Sequence, residues 1–319
     1  MRQRAETRPR VVCAGGAVAD RKYHLVHPPA GGTSNPARGS SAHGGVARNV
    51  AENLARLGVA VRLVSRVGDD DAGRALKRRL TAAGADVTHV TATRGFDTAE
   101  YVAVLDPEGD LVIGVAAMDV FTAISTSDLD RGLADGADWL FLDCNLHPAL
   151  LEHGVARGAA GVRVAVDAVS TIKVTRLPGD LTGVDLLFCN ADEARAYLTD
   201  PSDTDDGEVA ARILDAGAGA VVLTRGAAGV VVADPDGVRE HPAVPADVVD
   251  VTGAGDALVA GTLAALLAGR DLDAAANAGA RLAALTVAVA ETVRTDLGLV
   301  AGALAPEGAL VSEEGREGS

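Results

Sequence analysis

Residues 250 to 256 read D-V-T-G-A-G-D and run directly into A-L-V-A-G-T-L-A-A-L-L-A-G, a stretch that is apolar on nearly every face. The first part is flexible and ends in a carboxylate; the second predicts a buried helix. Amides in the first turn of a helix lack internal partners and carry the positive end of its dipole. Gly253, Ala254 and Gly255 therefore predict an anion hole that no long side chain obstructs, with Asp256 beside it to touch a reacting hydroxyl. A plain strand-to-helix turn capped by Asp256 would use the same residues. The apolar run behind the motif favours the cleft, because a carboxylate at the mouth of a buried helix faces inward.

Working outward, short apolar runs alternate with Ala-rich helical patterns. V-V-C-A-G-G (11–16), V-R-L-V-S-R-V (61–67), W-L-F-L-D-C-N (139–145), V-R-V-A-V-D (162–167), D-L-L-F-C-N (185–190) and A-V-V-L-T-R (220–225) each end in polar or glycine residues. Strands of this kind separated by helices predict a mostly parallel sheet covered on both faces. Ligands in such folds gather at the carboxyl ends of strands, where Asp20, Asp143, Asn145, Asp167, Asn190 and Thr224 fall. Two segments break the alternation. Residues 22–42 contain P-P-A-G-G-T-S-N-P-A-R-G-S-S, and residues 98–117 read as a hairpin turning at Asp106 to Asp110. Together they predict a small β-sheet standing off the main one as a lid.

A chain of 319 residues fits one large α/β domain with a small excursion, taken as residues 11–302 between a disordered basic tail (1–10) and a C-terminal tail (303–319). Aromatic residues are only 3%, so Ala, Val and Leu must fill the interior by close helix-to-sheet packing. A formal charge of -15 argues against nucleic acid as a partner, since phosphate binding needs a cationic surplus. The sequence has no apolar run long enough to span a bilayer, and a cytoplasmic protein is expected. Cys13, Cys144 and Cys189 lie far apart in apolar runs, which suits buried thiols better than disulfides or zinc.

Three further motifs carry candidate chemistry. Gly44 and Gly45 open a second helix, V-A-R-N-V-A-E-N-L-A-R-L-G, in which Asn49 can present its amide where paired glycines let a polar ligand approach. N-A-D-E-A at 190–194 sets Asn190 and Glu193 one turn apart, a spacing that serves magnesium hydration or a purely structural capping box. L-T-R-G-A-A-G at 223–229 is a strand end and turn that suits a nucleotide or a simple hairpin. Beyond it, Asn277 falls in the first turns of an Ala-rich helix begun by Asp271 or Asp273.

In this order, G-G-x-x-x-N (44–49), N-x-x-E (190–193), T-x-G (224–226) and D-x-T-G-A-G-D (250–256) resemble the ribokinase-like (PfkB) carbohydrate kinase family, over residues 11 to about 300. The resemblance implies a three-layer α/β/α sandwich with a β-sheet lid, ATP as phosphoryl donor, magnesium, and a primary hydroxyl of a sugar or nucleoside as acceptor. It implies Asp256 as base, Gly253, Ala254 and Gly255 as anion hole, and Asp20, Gly44, Gly45 and Asn49 as sugar contacts. Asn190 and Glu193 would serve magnesium, the former also ATP, with Thr224, Gly226 and Asn277 near the nucleotide. Asp250 and Thr252 would supply part of a monovalent-cation site, such as one for potassium, although A-E-T-V-R-T-D-L-G replaces the usual T-R-x-G-A. The lid edges imply a homodimer. S-A-H-G-G-V-A-R-N-V-A-E-N-L-A-R-L-G, V-A-A-M-D-V-F, L-D-C-N-L and D-A-V-S-T-I-K-V-T-R-L are similar to the members that act on pseudouridine, with Met118, Asp119, Ser170 and Lys173 as candidate base contacts.

Overall fold

The computed structural model describes residues 10–199 and 204–297. Most of the basic start, part of the acidic loop at 200–207 and the closing tail lie outside the described residues. In chain order the strands are β1 (Val11–Ala14), β2 (Val18–Leu25), β3 (Ala37–Gly44), β4 (Val61–Gly68), β5 (Val90–Thr93), β6 (Glu100–Leu105), β7 (Leu111–Ala117), β8 (Trp139–Asp143), β9 (Arg163–Asp167), β10 (Leu186–Asn190), β11 (Val221–Thr224), β12 (Val230–Asp234) and β13 (Gly237–His241). The helices are α1 (Val46–Arg56), α2 (Asp71–Ala83), α3 (Thr126–Gly132), α4 (Pro148–Val155), α5 (Ala191–Leu198), α6 (Asp206–Asp215), α7 (Ala254–Leu267) and α8 (Leu272–Val287).

Nine strands form one sheet in the order β13-β12-β11-β10-β9-β8-β1-β4-β5. It is parallel from β5 to β11, with β12 and β13 joined antiparallel at one edge. Alternation along β1 shows how the two cores arise. Val12 and Ala14 face the side covered by α3 to α6, through Leu129, Leu150, Ala194 and Ile213. Val11 and Cys13 face the side covered by α1, α2, α7 and α8, through Leu54, Leu76, Leu263 and Ala276. The result is the three-layer α/β/α sandwich.

The second sheet has the order β3-β2-β6-β7, with β2 and β3 antiparallel, β6 and β7 a hairpin, and β2 beside β6 in parallel. The hairpin turns at Asp106, whose carboxylate accepts from the amides of Glu108 and Asp110. This small sheet is larger than the segments read from sequence, since β2 begins at Val18 and β3 continues to Gly44.

Strand order reverses between β1 and β8, because the chain goes from β1 to β4 and β5 on one side and later fills the other side from β8 onward. That reversal leaves a crevice at the carboxyl ends of the strands. α7 and α8 border it as a tightly packed pair: a Cβ on Gly261 would lie 2.8 Å from the Cα of Gly279, and one on Gly279 would lie 2.3 Å from Thr262 Oγ1. Thr262 stands where a larger side chain would meet α8. Its hydroxyl donates to Leu258 O at 2.8 Å.

Candidate active site

Asp256 sits in the first turn of α7, buried, and Asn49 from α1 donates through Nδ2 to its Oδ2 at 2.6 Å. Two motifs separated by 207 residues therefore meet at one hydrogen bond. Burial pushes the Asp256 carboxyl up to about 7, against the Asn49 hydrogen bond and the Arg48 charge that favour its ionised form; Asp143 and Asp20 push the same way as burial. Desolvation thus outweighs the pull of the helix pole toward the ionised form.

α7 has no side-chain capping bond at its N-terminus. Gly253 stands there at φ 84°, and a Cβ on it would lie 2.2 Å from Thr292 O, so glycine is required by both backbone and space. A Cβ on Gly255 would meet nothing within 4 Å: its surface opens outward. Ala254, the third member of the expected hole, uses its N–H in a turn to Val251 O at 3.2 Å.

The mouth of α1 is built differently. Gly45 (φ 93°) lets the chain pass the Gly16 carbonyl, which a Cβ would approach to 2.4 Å. Two of the amides beyond, those of Ala47 and Arg48, are taken within the chain. Asp143, at the end of β8, accepts from Ala47 N at 2.8 Å and Gly16 N at 2.9 Å, while Arg48 N donates to Gly16 O. Gly44 makes room for Asp20, whose carboxylate would lie 2.0 Å from a Cβ there. Burial raises Asp20 to about 6, opposed by Arg48 and Lys22.

A cavity of about 200 Å³ is lined by Asp256, Gly253, Gly255, Asp167, Asn190, Glu193 and Thr224, among others. Asn190 and Glu193 do form a capping box: Asn190 Oδ1 accepts from Glu193 N and Glu193 Oε2 from Asn190 N, both at 2.8 Å. They also face the cavity, so the structural and ligand-facing readings hold together. Burial raises Glu193, and Asp167 is held well above the usual carboxylate range by burial and by the charges of Asp256 and Glu193. Asp167 hydrogen-bonds Val169 N at 2.8 Å; Val169, with φ 67°, is a strained β-branched residue on the cavity wall.

Beside it lies a larger, mostly apolar cavity of about 580 Å³, lined by Thr224, Gly226, Val244, Val251, Ala280 and Ala284 among others. The 223–229 segment is the hairpin between β11 and β12, and it forms one wall. Asn277 is exposed on α8 and is absent from that lining; Ala280, Ala283, Ala284 and Val287 stand there instead. Asp250 and Thr252 are also diverted. Asp250 Oδ1 accepts from Thr252 N and Oγ1, and its Oδ2 pairs with Lys22 of β2 at 3.2 Å, so an ammonium already faces the carboxylate expected to hold a monovalent cation.

Met118 and Lys173 converge, with Lys173 Nζ 3.9 Å from Met118 Sδ and 2.6 Å from Asn145 Oδ1. Burial lowers the Lys173 pKa. Ser170 accepts from Lys173 N, whereas Asp119 is exposed. Two features were missed by sequence reasoning: the capping role of Asp143, whose partners lie 96 and 127 residues away, and the buried Arg48–Glu52 pair. Only the polar character of a residue closing an apolar strand hinted at the first.

The fold and this crevice define a class: residues 8–296 match the pfkB family of carbohydrate kinases, and the chain belongs to it. It is a sugar or nucleoside kinase, a phosphotransferase with an alcohol acceptor. Among its relatives are pseudouridine kinase of Escherichia coli K12, 32% identical over 72% of this chain and 74% of that one, and ATP-dependent ribose-1-phosphate kinase of Halopiger xanaduensis, 30% identical over 76% and 79%. The structure of Arabidopsis thaliana ribokinase complexed with ribose and ATP superposes with a TM-score of 0.79 at 21% identity, covering 93% of this chain and 99% of that one; it establishes the shared fold.

Proposed function

We propose that this protein transfers the γ-phosphoryl group of ATP to the 5′-hydroxyl of pseudouridine, giving pseudouridine 5′-phosphate. The observation that carries the transfer is the buried Asp256 beside an uncapped, glycine-lined helix mouth, between a polar cavity and an apolar one. The apolar cavity suits an adenine ring, with Thr224 and Gly226 against the nucleotide. Gly253, Ala254 and Gly255 border the reacting phosphoryl group; Asp20, Gly44, Gly45 and Asn49 border the sugar. Asp256 accepts the hydroxyl proton as the oxygen attacks, and Asn49 holds its other carboxylate oxygen.

Magnesium fits the donor set. Asp167, Glu193 and Asp256 face one cavity with raised pKa values, which a cation would relieve. Among the described residues no three His, Cys, Asp or Glu side chains are close enough to cage a metal ion, so Asn190 and Glu193 would hold it through water and phosphate oxygens. When bound it neutralises charge on the phosphates. The Asp250–Lys22 pair does not fit a potassium site, and none is proposed.

Pseudouridine is favoured over a free sugar by the Met118, Asn145 and Lys173 cluster, whose thioether, amide and cation would serve a base. The exposed apolar residues Leu111, Ile113 and Val115 on edge strand β7 suit a second copy, and a homodimer through the small sheet follows from this reading. Among the described residues no helix is long and apolar enough to cross a membrane, and the three cysteines are buried and free, which fits a cytoplasmic enzyme. The test is one assay of ATP-dependent phosphorylation on pseudouridine, uridine, adenosine and ribose. Pseudouridine is expected to give the highest kcat/KM; preference for uridine or ribose overturns the substrate, and no transfer to any acceptor overturns the kinase reading.

A further inference from the structure

Arg48 is 1% exposed, an arginine sealed beside the carboxylate that the kinase reading makes the base. Its guanidinium has donors only. Nε donates to Gly44 O at 3.1 Å, Nη1 to Glu52 Oε2 at 2.5 Å, and Nη2 to His43 O and to Asn49 Oδ1. An asparagine amide has one accepting end and one donating end. With a donor-only group against Oδ1, the end left for Asp256 is the NH2, and that end is the one 2.6 Å from Asp256 Oδ2. A reversed amide would set donor against donor at Arg48 and acceptor against acceptor at Asp256.

The guanidinium is itself held from behind. Glu52 is fully buried and takes, besides Arg48, Arg56 at 2.7 Å and Arg79 at 2.8 Å. Burial works to raise the Glu52 carboxyl, but the Arg79 hydrogen bond and the Arg48 charge outweigh it, so it stays ionised. Arg56 and Arg79 reach on to the carbonyls of Thr295 and Val293, in the segment whose Thr292 carbonyl packs against Gly253 at the mouth of α7.

We infer that Arg48 is a positioning residue: braced by Glu52, it fixes the Asn49 amide with its NH2 toward Asp256 and ties the edge strand β3 of the small sheet to that arrangement. The inference rests on the proposed role of Asp256 for its catalytic meaning, but not for its geometry. One carboxylate oxygen is thereby held, and the other meets the acceptor hydroxyl. Lysine would keep the charge but lacks the planar fork that serves four acceptors at once.

The test is a double-mutant cycle read by the 13Cγ titration of Asp256, in aspartate-labelled protein without substrate. Wild type, Arg48→Lys, Asn49→Ala and the double variant are compared, with Asp256→Asn assigning the signal. Loss of the directed NH2 should raise the Asp256 midpoint by roughly half to one pH unit in Arg48→Lys and again in Asn49→Ala, as one hydrogen bond to the anion is removed. Arg48→Lys should add nothing in the Asn49→Ala background. Equal shifts in both backgrounds, or no shift in Arg48→Lys, would overturn the inference. Should Arg48→Lys fail to fold, Arg48→Gln enters the same cycle; the lost charge raises the midpoint in both backgrounds, so its shift should be larger with Asn49 present than in Asn49→Ala, and equal shifts would overturn the inference. Turnover is measured in parallel: Arg48→Lys should lower kcat about tenfold with the KM for ATP unchanged. A wild type that phosphorylates no acceptor would sink the kinase reading, while the titration would still decide what Arg48 does.

Discussion

The mouths of α1 and α7 look alike in sequence, each with two glycines at the start of a helix, yet one is stoppered and the other open. At α1 the amides of Ala47 and Arg48 go to the Asp143 carboxylate and the Gly16 carbonyl. At α7 no side chain caps the helix, and Gly255 looks onto free space. Glycine spacing marks where a backbone can approach something; it does not say whether that something is a ligand or another part of the chain. The deciding residue, Asp143, arrives from a strand far away in sequence. α1 contributes a side chain to the site, Asn49, whereas α7 contributes backbone and base.

The largest effect that would break this contrast is at Asp256. Asp256→Asn should lower kcat by roughly 10² to 10⁴-fold while ATP still binds, measured by steady-state assay and calorimetry. It should also stabilise the protein at alkaline pH. Because burial raises the Asp256 pKa to about 7, the folded protein holds that proton more tightly than the unfolded chain, and this contribution is lost as pH rises through about 7. The variant's Tm should therefore exceed wild type by roughly 4 °C or more at pH 8, and the gain should shrink toward pH 5.

Next comes the stopper. Asp143→Ala leaves the amides of Gly16, Ala47 and Asn145 without their acceptor, at a cost of about 3 kcal/mol or more by denaturant unfolding; Asp143→Asn keeps an acceptor and should cost less. If the two variants are equally stable, the stopper does not act through those amides.

The smallest effects come from paired glycine substitutions and sharpen the comparison most. Gly45→Ala meets the Gly16 carbonyl and should cost about 2 kcal/mol or more of stability. Gly255→Ala should leave stability unchanged or raise it by up to about 1 kcal/mol, since the methyl meets no neighbour and alanine favours the helix. It should raise the KM for ATP roughly tenfold, equivalent to about 1.4 kcal/mol. A destabilised Gly255→Ala with normal KM would mean that the α7 mouth is packed rather than open.

Much of this was legible along the chain wherever the cause is local. The runs at 11–16, 61–67, 139–145, 162–167, 185–190 and 220–225 all contain strands, because a parallel sheet buried on both faces needs uninterrupted apolar residues. The all-round apolar pattern after Asp256 matches a helix buried from Asp256 to Leu263. The hairpin at 106–110 carries its own turn chemistry. What escaped depends on partners brought together by the fold. β12 and β13 were signalled by D-P-D-G at 234–237 but not recognised as sheet strands. The Lys22–Asp250 pair joins residues 228 apart, and Arg48 and Glu52, at ordinary i,i+4 spacing, give no sign in sequence that they are buried. Asn277 was placed by helix position alone, and the wall of the apolar cavity falls one turn further on, at Ala280.

The pH dependence of kcat/KM tests the central claim most directly, because it reads the proton on the carboxylate at the open mouth of the free enzyme. With ATP and acceptor both well below their KM, the rate should rise about tenfold per unit below pH 7, level off above it, and lose that limb in Asp256→Asn. A kcat/KM that stays flat from pH 5 to 8 in the wild type would contradict it.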